Sequence, residues 1–225
     1  MRKEAANGEI DFGAAMGTST SISGVVLAGG TSRRFGSDKA SALLAGRPML
    51  QWVVDALGGV AVEIVISAAE GQVLPDVTCR VPIRVVTDPV KGQGPLVGML
   101  AGLEASTNET CLVVSCDAPL VQPKLLRGLA RRLADRQFEG VIPEVGGRLQ
   151  ALMAAYRRSE VVAVMRGSRD SGNLSVSAAV SKLTHVVTIG EAELLAFDPD
   201  LRSFMGVNSA EEMARATALI RGMSS

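Results

Sequence analysis

Short, uninterrupted apolar runs alternate with stretches of helical spacing along this 225-residue chain. GVVLA (Gly24–Ala28), VEIVISA (Val62–Ala68), IRVVTD (Ile83–Asp88) and CLVVSCD (Cys111–Asp117) lack polar alternation, as expected of strands buried on both faces. PMLQWVVDALG from Pro48, PLVGMLAGLEAS from Pro95 and PKLLRGLARRLADR from Pro123 read as helices, each with proline at its first turn. EGVIPE and LQALMAAY read as strands around a turn at Gly146–Gly147, SEVVAVMRG and LSVSAAVSK as helices, and THVVTI as a strand. SAEEMARATALIRG closes the chain as a helix, with Ser209 as N-cap and Glu212 completing a capping box. Strands that alternate with helices predict an α/β fold: a doubly wound, mainly parallel sheet with helices on both faces.

Composition narrows the function. The chain is 47% hydrophobic but only 3% aromatic, so its core must be built from aliphatic residues and Met. Lys+Arg and Asp+Glu are both 23, which argues against a nucleic-acid binder. No apolar run approaches the ~20 residues of a membrane helix. Cys79, Cys111 and Cys116 show no CxxC spacing, and an odd count reads as reduced and cytoplasmic. The single histidine, His185, leaves little room for His-based metal or triad chemistry and reads as structural. Residues 1–22 are small and polar without periodicity and read as a disordered tail, with Met16 as an alternative start. Residues 23–225 form one domain.

In doubly wound sheets, ligands bind beyond the carboxyl ends of the strands. Three segments converge there: the loop after Ala28, Asp88 and Asp117. The loop places Gly29, Gly30 and Gly36 with Arg33, Arg34 and Lys39 within eleven residues. Glycines let a backbone approach an anion and present N–H groups to it, so this pattern points to phosphate. It matches neither GxxxxGK[ST] nor GxGxxG. Asp117 reads as a hard-metal ligand that pairs Mg²⁺ with phosphates, or else as an N-cap for the segment from Pro119 to Pro123. Asp88 repeats the placement one strand over, although Asp-Pro is also a turn signal. Met99, Met153 and Met165 read as core, the arginines of RGLARRL as a solvated helix face, and Cys116 is set aside as a nucleophile.

LAGGTSRRFGSDKA together with CDAPL resembles the nucleotidyltransferases with a LAGGxSRRMGxDK signature, and within them the molybdenum cofactor guanylyltransferases of the MobA family. The resemblance runs from Gly24 to the C-terminus. GPLVGMLAGLEAS is similar to that family's GPLAG helix and FMGVNSAEEMA to its terminal NxNTPEE segment. Asp-Lys at Asp38–Lys39 sides with the guanylyl branch, where cytidylyltransferases of the same fold carry Pro-Lys. The resemblance implies that Leu27, Ala28, Gly29 and Gly30 line the nucleotide, that Lys39 meets its phosphates, that Asp88 contacts the nucleotide, and that Asp117 contacts both nucleotide and Mg²⁺. Asn208 would contact the acceptor. Phe35 replaces the usual Met, Ser67 stands where some members have Asn, and Gly206 stands at the first Asn of NxN.

The implied reaction is transfer of GMP from GTP to the phosphate of molybdenum-loaded molybdopterin, with Lys39, Arg34 and Asp117 as the catalytic groups and Mg²⁺ as cofactor. GTP and molybdopterin would be the small-molecule partners, with molybdoenzymes or cofactor-delivery proteins beyond them. The alternatives are another nucleotidyltransferase of this fold, such as a cytidylyltransferase for the same cofactor, and a weakly active nucleotide-binding partner in cofactor delivery. Either another residue, such as Arg148 or Gln150, supplies the acceptor contacts that Gly206 lacks, or the acceptor is bound weakly or is not molybdopterin.

Overall fold

The structure, a computed structural model, describes residues 21–29, 39–87, 94–134 and 137–223. Six strands carry the parallel framework: β1 (Ile22–Leu27), β4 (Glu63–Ala68), β5 (Ile83–Thr87), β6 (Thr110–Ser115), β7 (Gly140–Val145) and β10 (Val186–Ile189). With β9 (Met153–Arg157) they form one sheet in the order β10-β7-β9-β6-β1-β4-β5. β9 runs antiparallel to both β6 and β7, so every other strand on this path points the same way. β8 (Arg148–Leu149) pairs only with the end of β7, across Gly146–Gly147, where both glycines have positive φ. The proposed tail at 1–22 lies outside the described residues up to residue 20, and β1 already begins at Ile22.

The uninterrupted apolar runs are explained by two cores, one on each face. Val26, Ile64, Ile66, Leu112 and Val114 face α1 (Met49–Gly58) and α3 (Pro123–Leu133). Val25, Leu27, Cys111, Val113 and Ile142 face α2 (Pro95–Ala105), α4 (Arg158–Asp170) and α5 (Val176–Val180). Met99 and Met165 are fully buried and Met153 nearly so, as expected of core residues. Burial pushes the Cys111 thiol up to about 12, which makes it an inert core residue. A third, smaller core seats α7 (Ala210–Met223) on a two-stranded hairpin, β2 (Leu43–Leu44) with β3 (Arg47–Pro48), through Leu44, Met49, Leu120, Val207 and Ala216. Among the described residues, no helix is long and apolar enough to cross a membrane.

The two edges of the sheet have different work. At the amino-terminal edge, three carboxylates stitch strands to loops. Glu63 accepts from Ser23 Oγ (2.6 Å), Thr107 N–H (2.7 Å) and Thr107 Oγ1 (2.7 Å). Glu109 accepts from Ser159, and Glu139 from the backbone N–H groups of Thr184 and His185. Desolvation pulls each carboxyl upward, but these hydrogen bonds and the nearby Arg84, Arg158 and His185 outweigh it. All three come to rest below the ordinary value of 4.5. His185 therefore belongs to this edge, remote from the strand ends where a ligand would bind.

A folded-state pKa below the unfolded one stabilises the protein above the unfolded value, and the benefit is lost as pH falls through the folded value. Melting temperature should therefore hold near neutrality and fall steeply below pH 4.5. Glu63→Gln should cost about 1–3 kcal/mol at pH 7, as expected for hydrogen bonds to a charged acceptor. It should also flatten the acid limb in calorimetric scans. An acid limb as steep as that of the wild type would exclude Glu63 as its source.

Candidate functional site

At the carboxyl-terminal edge, β1 lies between β4 and β6, with Leu27 in register with both Ser67 and Ser115. The chain leaves β1 toward β4 on one side and later returns as β6 on the other. This reversal of strand order opens a crevice beyond the strand ends. Leu27 and Ala28 are buried at its base. Ala28 and Gly29 both donate their N–H to Ser67 O, at 2.8 and 3.1 Å. A Cβ on Gly29 would lie 3.2 Å from Ala69 N and 3.5 Å from Ala68 C. The first glycine of the pair thus lets the chain turn close against the backbone after β4. Gln72 braces the same point, donating to Ala28 O (3.0 Å) while its Oε1 accepts from Ala69 N–H (2.9 Å).

Lys39 enters from the segment that leads into the hairpin. Its carbonyl accepts from Ala42 N–H (3.2 Å), and the carbonyl of buried Ala40 accepts from Leu50 N–H (3.2 Å) near the start of α1. The lysine is thereby tied to a helix rather than to a free loop. Its Nζ lies 3.7 Å from Asp117 Oδ2 and donates to Asn208 Oδ1. The side chains of Lys39 and Asp117 are 25% and 30% exposed, open enough to meet a ligand and shielded enough to feel each other. Residues 39, 117 and 208 thus meet from three distant parts of the chain.

Asp117 follows β6 in a turn in which Cys116 N–H donates to Leu27 O (3.0 Å) and Ala118 N–H to Ser115 O (3.1 Å). The N-cap of α3 is Gln122, so Asp117 does not cap that helix. Cys116 is buried beneath it. Val207 N–H donates to Asp117 O at 2.7 Å, which binds the C-terminal segment to the end of β6.

A cleft of about 510 Å³ opens beside Asp117. Its walls come from Ser115 and Ala118, from Leu149 to Met153 before and within β9, from Leu174 to Ser177, and from Ser203, Phe204 and Gly206. Apart from Asp117, the polar side chains on this lining are uncharged: Gln150 and serines. Of the two residues expected to compensate for Gly206, Gln150 lines the cleft, and its Nε2 donates to Arg148 O (3.2 Å). Arg148 is exposed on β8 and is not part of that lining. A Cβ on Gly206 would lie 3.0 Å from Asn208 Nδ2, so the glycine gives this amide room at the rim of the cleft.

Gly30, Arg33, Arg34 and Asp88 lie outside the described residues. Gln72 and Glu212, which accepts from Asn208 N–H at 2.6 Å, are site neighbours that the sequence reading did not assign to the site. Glu212 alone carried a signal, its capping-box spacing.

Residues 24–185 match a family described as MobA-like NTP transferase domain. The chain is 33% identical over 208 residues to the molybdenum cofactor guanylyltransferase of Desulfosudis oleivorans, covering 89% of this chain and 96% of that one. Among solved structures it is similar to molybdopterin-guanine dinucleotide biosynthesis protein A from Archaeoglobus fulgidus, with a TM-score of 0.73 and 24% identity over 89% of this chain and all of the other. It is also similar to 2-C-methyl-D-erythritol 4-phosphate cytidylyltransferase from Thermus thermophilus, with a TM-score of 0.62 and 19% identity over 90% of this chain and all of the other. At these identities the structural likeness establishes the nucleotidyltransferase fold.

Proposed function

The chain belongs to the MobA-like NTP transferase family, and on that premise we propose that it transfers GMP from GTP to the phosphate of molybdenum-loaded molybdopterin, releasing pyrophosphate. The observation that carries this reading is the meeting of Lys39, Asp117 and Asn208 at the mouth of a neutral cleft. A volume of about 510 Å³ is in the range of small-molecule sites, ~300–1,000 Å³. Hydroxyl and amide groups suit a heterocycle that is recognised by hydrogen bonds rather than by charge.

In this reading the nucleotide lies over Leu27, Ala28, Gly29 and Gly30, and Asp88 contacts it. The acceptor occupies the cleft, with Gln150 on its wall and Asn208 Nδ2 at the rim beside Gly206. An acceptor phosphate oxygen attacks the α-phosphorus of GTP, and the bond from that phosphorus to the bridging oxygen of the β-phosphate breaks. The electron pair leaves with pyrophosphate. A phosphate monoester has a second pKa of about 6, so its oxygen is already ionised at neutral pH and needs no imidazole base. Lys39 and Arg34 stabilise charge on the transferring and leaving phosphates. Positioning and electrostatics supply the rest.

The residues present fit Mg²⁺. Among the described residues no group of three acidic, His or Cys side chains forms a complete metal cage. A single carboxylate at the crevice does suit an ion that takes most of its ligands from phosphates and water. Asp117 would hold it, and when bound it supplies Lewis-acid neutralisation of phosphate charge. A cytoplasmic location goes with this reading, as do molybdoenzymes or cofactor-delivery proteins as onward partners.

The test is thermal shift and pyrophosphate release with each of the four NTPs, Mg²⁺ and molybdenum-loaded molybdopterin. GTP alone should both stabilise the protein and give dinucleotide. Turnover with CTP instead would make it a cytidylyltransferase. GTP binding without transfer would leave the delivery partner as the reading.

A further inference from the structure

We infer that Glu212 is a positioning residue of the active site, acting through Asn208 on Lys39. The inference rests on the proposed role of Lys39 at the phosphates. Its starting point is an unusual bond in the cap of α7. Glu212 N–H donates to Ser209 Oγ at 3.1 Å, which is half of a capping box. In the ordinary box the glutamate carboxylate accepts from the N-cap residue's own N–H. Here Glu212 Oε2 accepts from the N–H of Asn208, one residue earlier, at 2.6 Å. The grip is thereby moved from the helix end to the residue whose side chain touches Lys39.

Asn208 is held from two directions. Val207 N–H is fixed on Asp117 O at 2.7 Å, and Asn208 N–H is fixed on Glu212. Bonds to both successive amides set the backbone torsions from which a short side chain projects. Asn208 Oδ1 then accepts from Lys39 Nζ, and Gly206 leaves room for the Nδ2 side of the same amide. The carboxylate bond is charge-assisted, the stronger kind of hydrogen bond. Its far end is anchored as well. Ala216 of α7 is fully buried, with Met213, Leu219 and Ile220 packed against the core of Leu44 and Met49. Lys39 belongs to the segment that enters that same hairpin. One small core therefore holds both ends of the Lys39–Asn208 contact.

The experiment separates this role from simple helix capping. Pyrophosphate release with GTP, Mg²⁺ and molybdenum-loaded molybdopterin, GTP affinity by calorimetry, and melting temperature are compared across variants. Glu212→Ala should lower kcat roughly tenfold or more, because small misplacements of a charge-stabilising group are costly. Glu212→Gln, whose amide oxygen still accepts, should recover most of that loss. Ser209→Ala removes the other half of the cap. It should lower melting temperature comparably while kcat stays within about twofold of wild type, as for a change outside the site. In an Asn208→Ala background, Glu212→Ala should cause no further loss, since its effect passes through that side chain. Equal kcat losses in Ser209→Ala and Glu212→Ala, or losses at 208 and 212 that multiply, would reduce Glu212 to a helix cap. A Lys39→Ala enzyme with full activity would instead bring down the reading of Lys39, and this inference with it.

Discussion

Lys39→Ala is expected to lower kcat by about a hundredfold to a thousandfold, the scale for losing a preorganised group that meets charge developing in the transition state. GTP affinity should change much less, because the lysine interacts most strongly with charge that grows as the leaving pyrophosphate departs. The fold should hardly notice. The Lys39–Asp117 pair is partly exposed, and such pairs contribute about 0–1 kcal/mol. The turn that carries Lys39 is held by its carbonyl and by that of Ala40, neither of which depends on the side chain. Single-turnover transfer at saturating GTP, set beside a melting curve, measures both quantities. Near-normal turnover would remove Lys39 from the chemistry. Lost turnover with a collapse in melting temperature would make it a structural lysine.

Much of this architecture is legible in the sequence because burial on both faces leaves an unmistakable trace. GVVLA and CLVVSC have no polar alternation because α1 and α3 cover one face and α2, α4 and α5 the other. The strand ends could be placed for the same reason, and with them Lys39 and Asp117. Strand direction is less legible. β7 and β9 have similar apolar runs, and only the pairing of Val114 with Met153 and of Gly140 with Tyr156 reveals that β9 is reversed. The β2–β3 hairpin escapes notice because its turn is Ala45–Gly46 rather than Asn-Gly. Ala45 adopts a positive φ of 50° that alanine seldom shows. Gln72 escapes for a different reason. Glutamine carries no charge or metal preference, so only the fold can bring it to a carbonyl at the end of β1. Glu212 was legible as a cap, but the amide it grips was not, since one residue of register separates capping from positioning.

Asp117→Asn should abolish metal-dependent transfer while leaving the fold intact, because the substitution removes charge and almost nothing else. The backbone carbonyl of residue 117 would still accept from Val207 N–H, so the C-terminal segment stays docked on β6. The helix that follows is capped at Gln122 and has no stake in this carboxylate. Melting temperature should therefore stay within about 2–4 °C of wild type, the shift expected for ~1 kcal/mol in a domain of this size. Two interactions are lost at the site. Asparagine cannot neutralise a hard cation as a carboxylate does, and Lys39 no longer has an anion at 3.7 Å. Loss of Lewis-acid stabilisation is worth several kcal/mol, so kcat should fall by at least about a hundredfold. The Mg²⁺ concentration for half-maximal rate should rise with it. Titrating Mg²⁺ from a chelated start, with GTP saturating, reads the two effects separately. If the titration curve keeps its midpoint and only its height falls, Asp117 serves Lys39 and the metal is held elsewhere. If both midpoint and height are unchanged, the carboxylate has no part in the reaction.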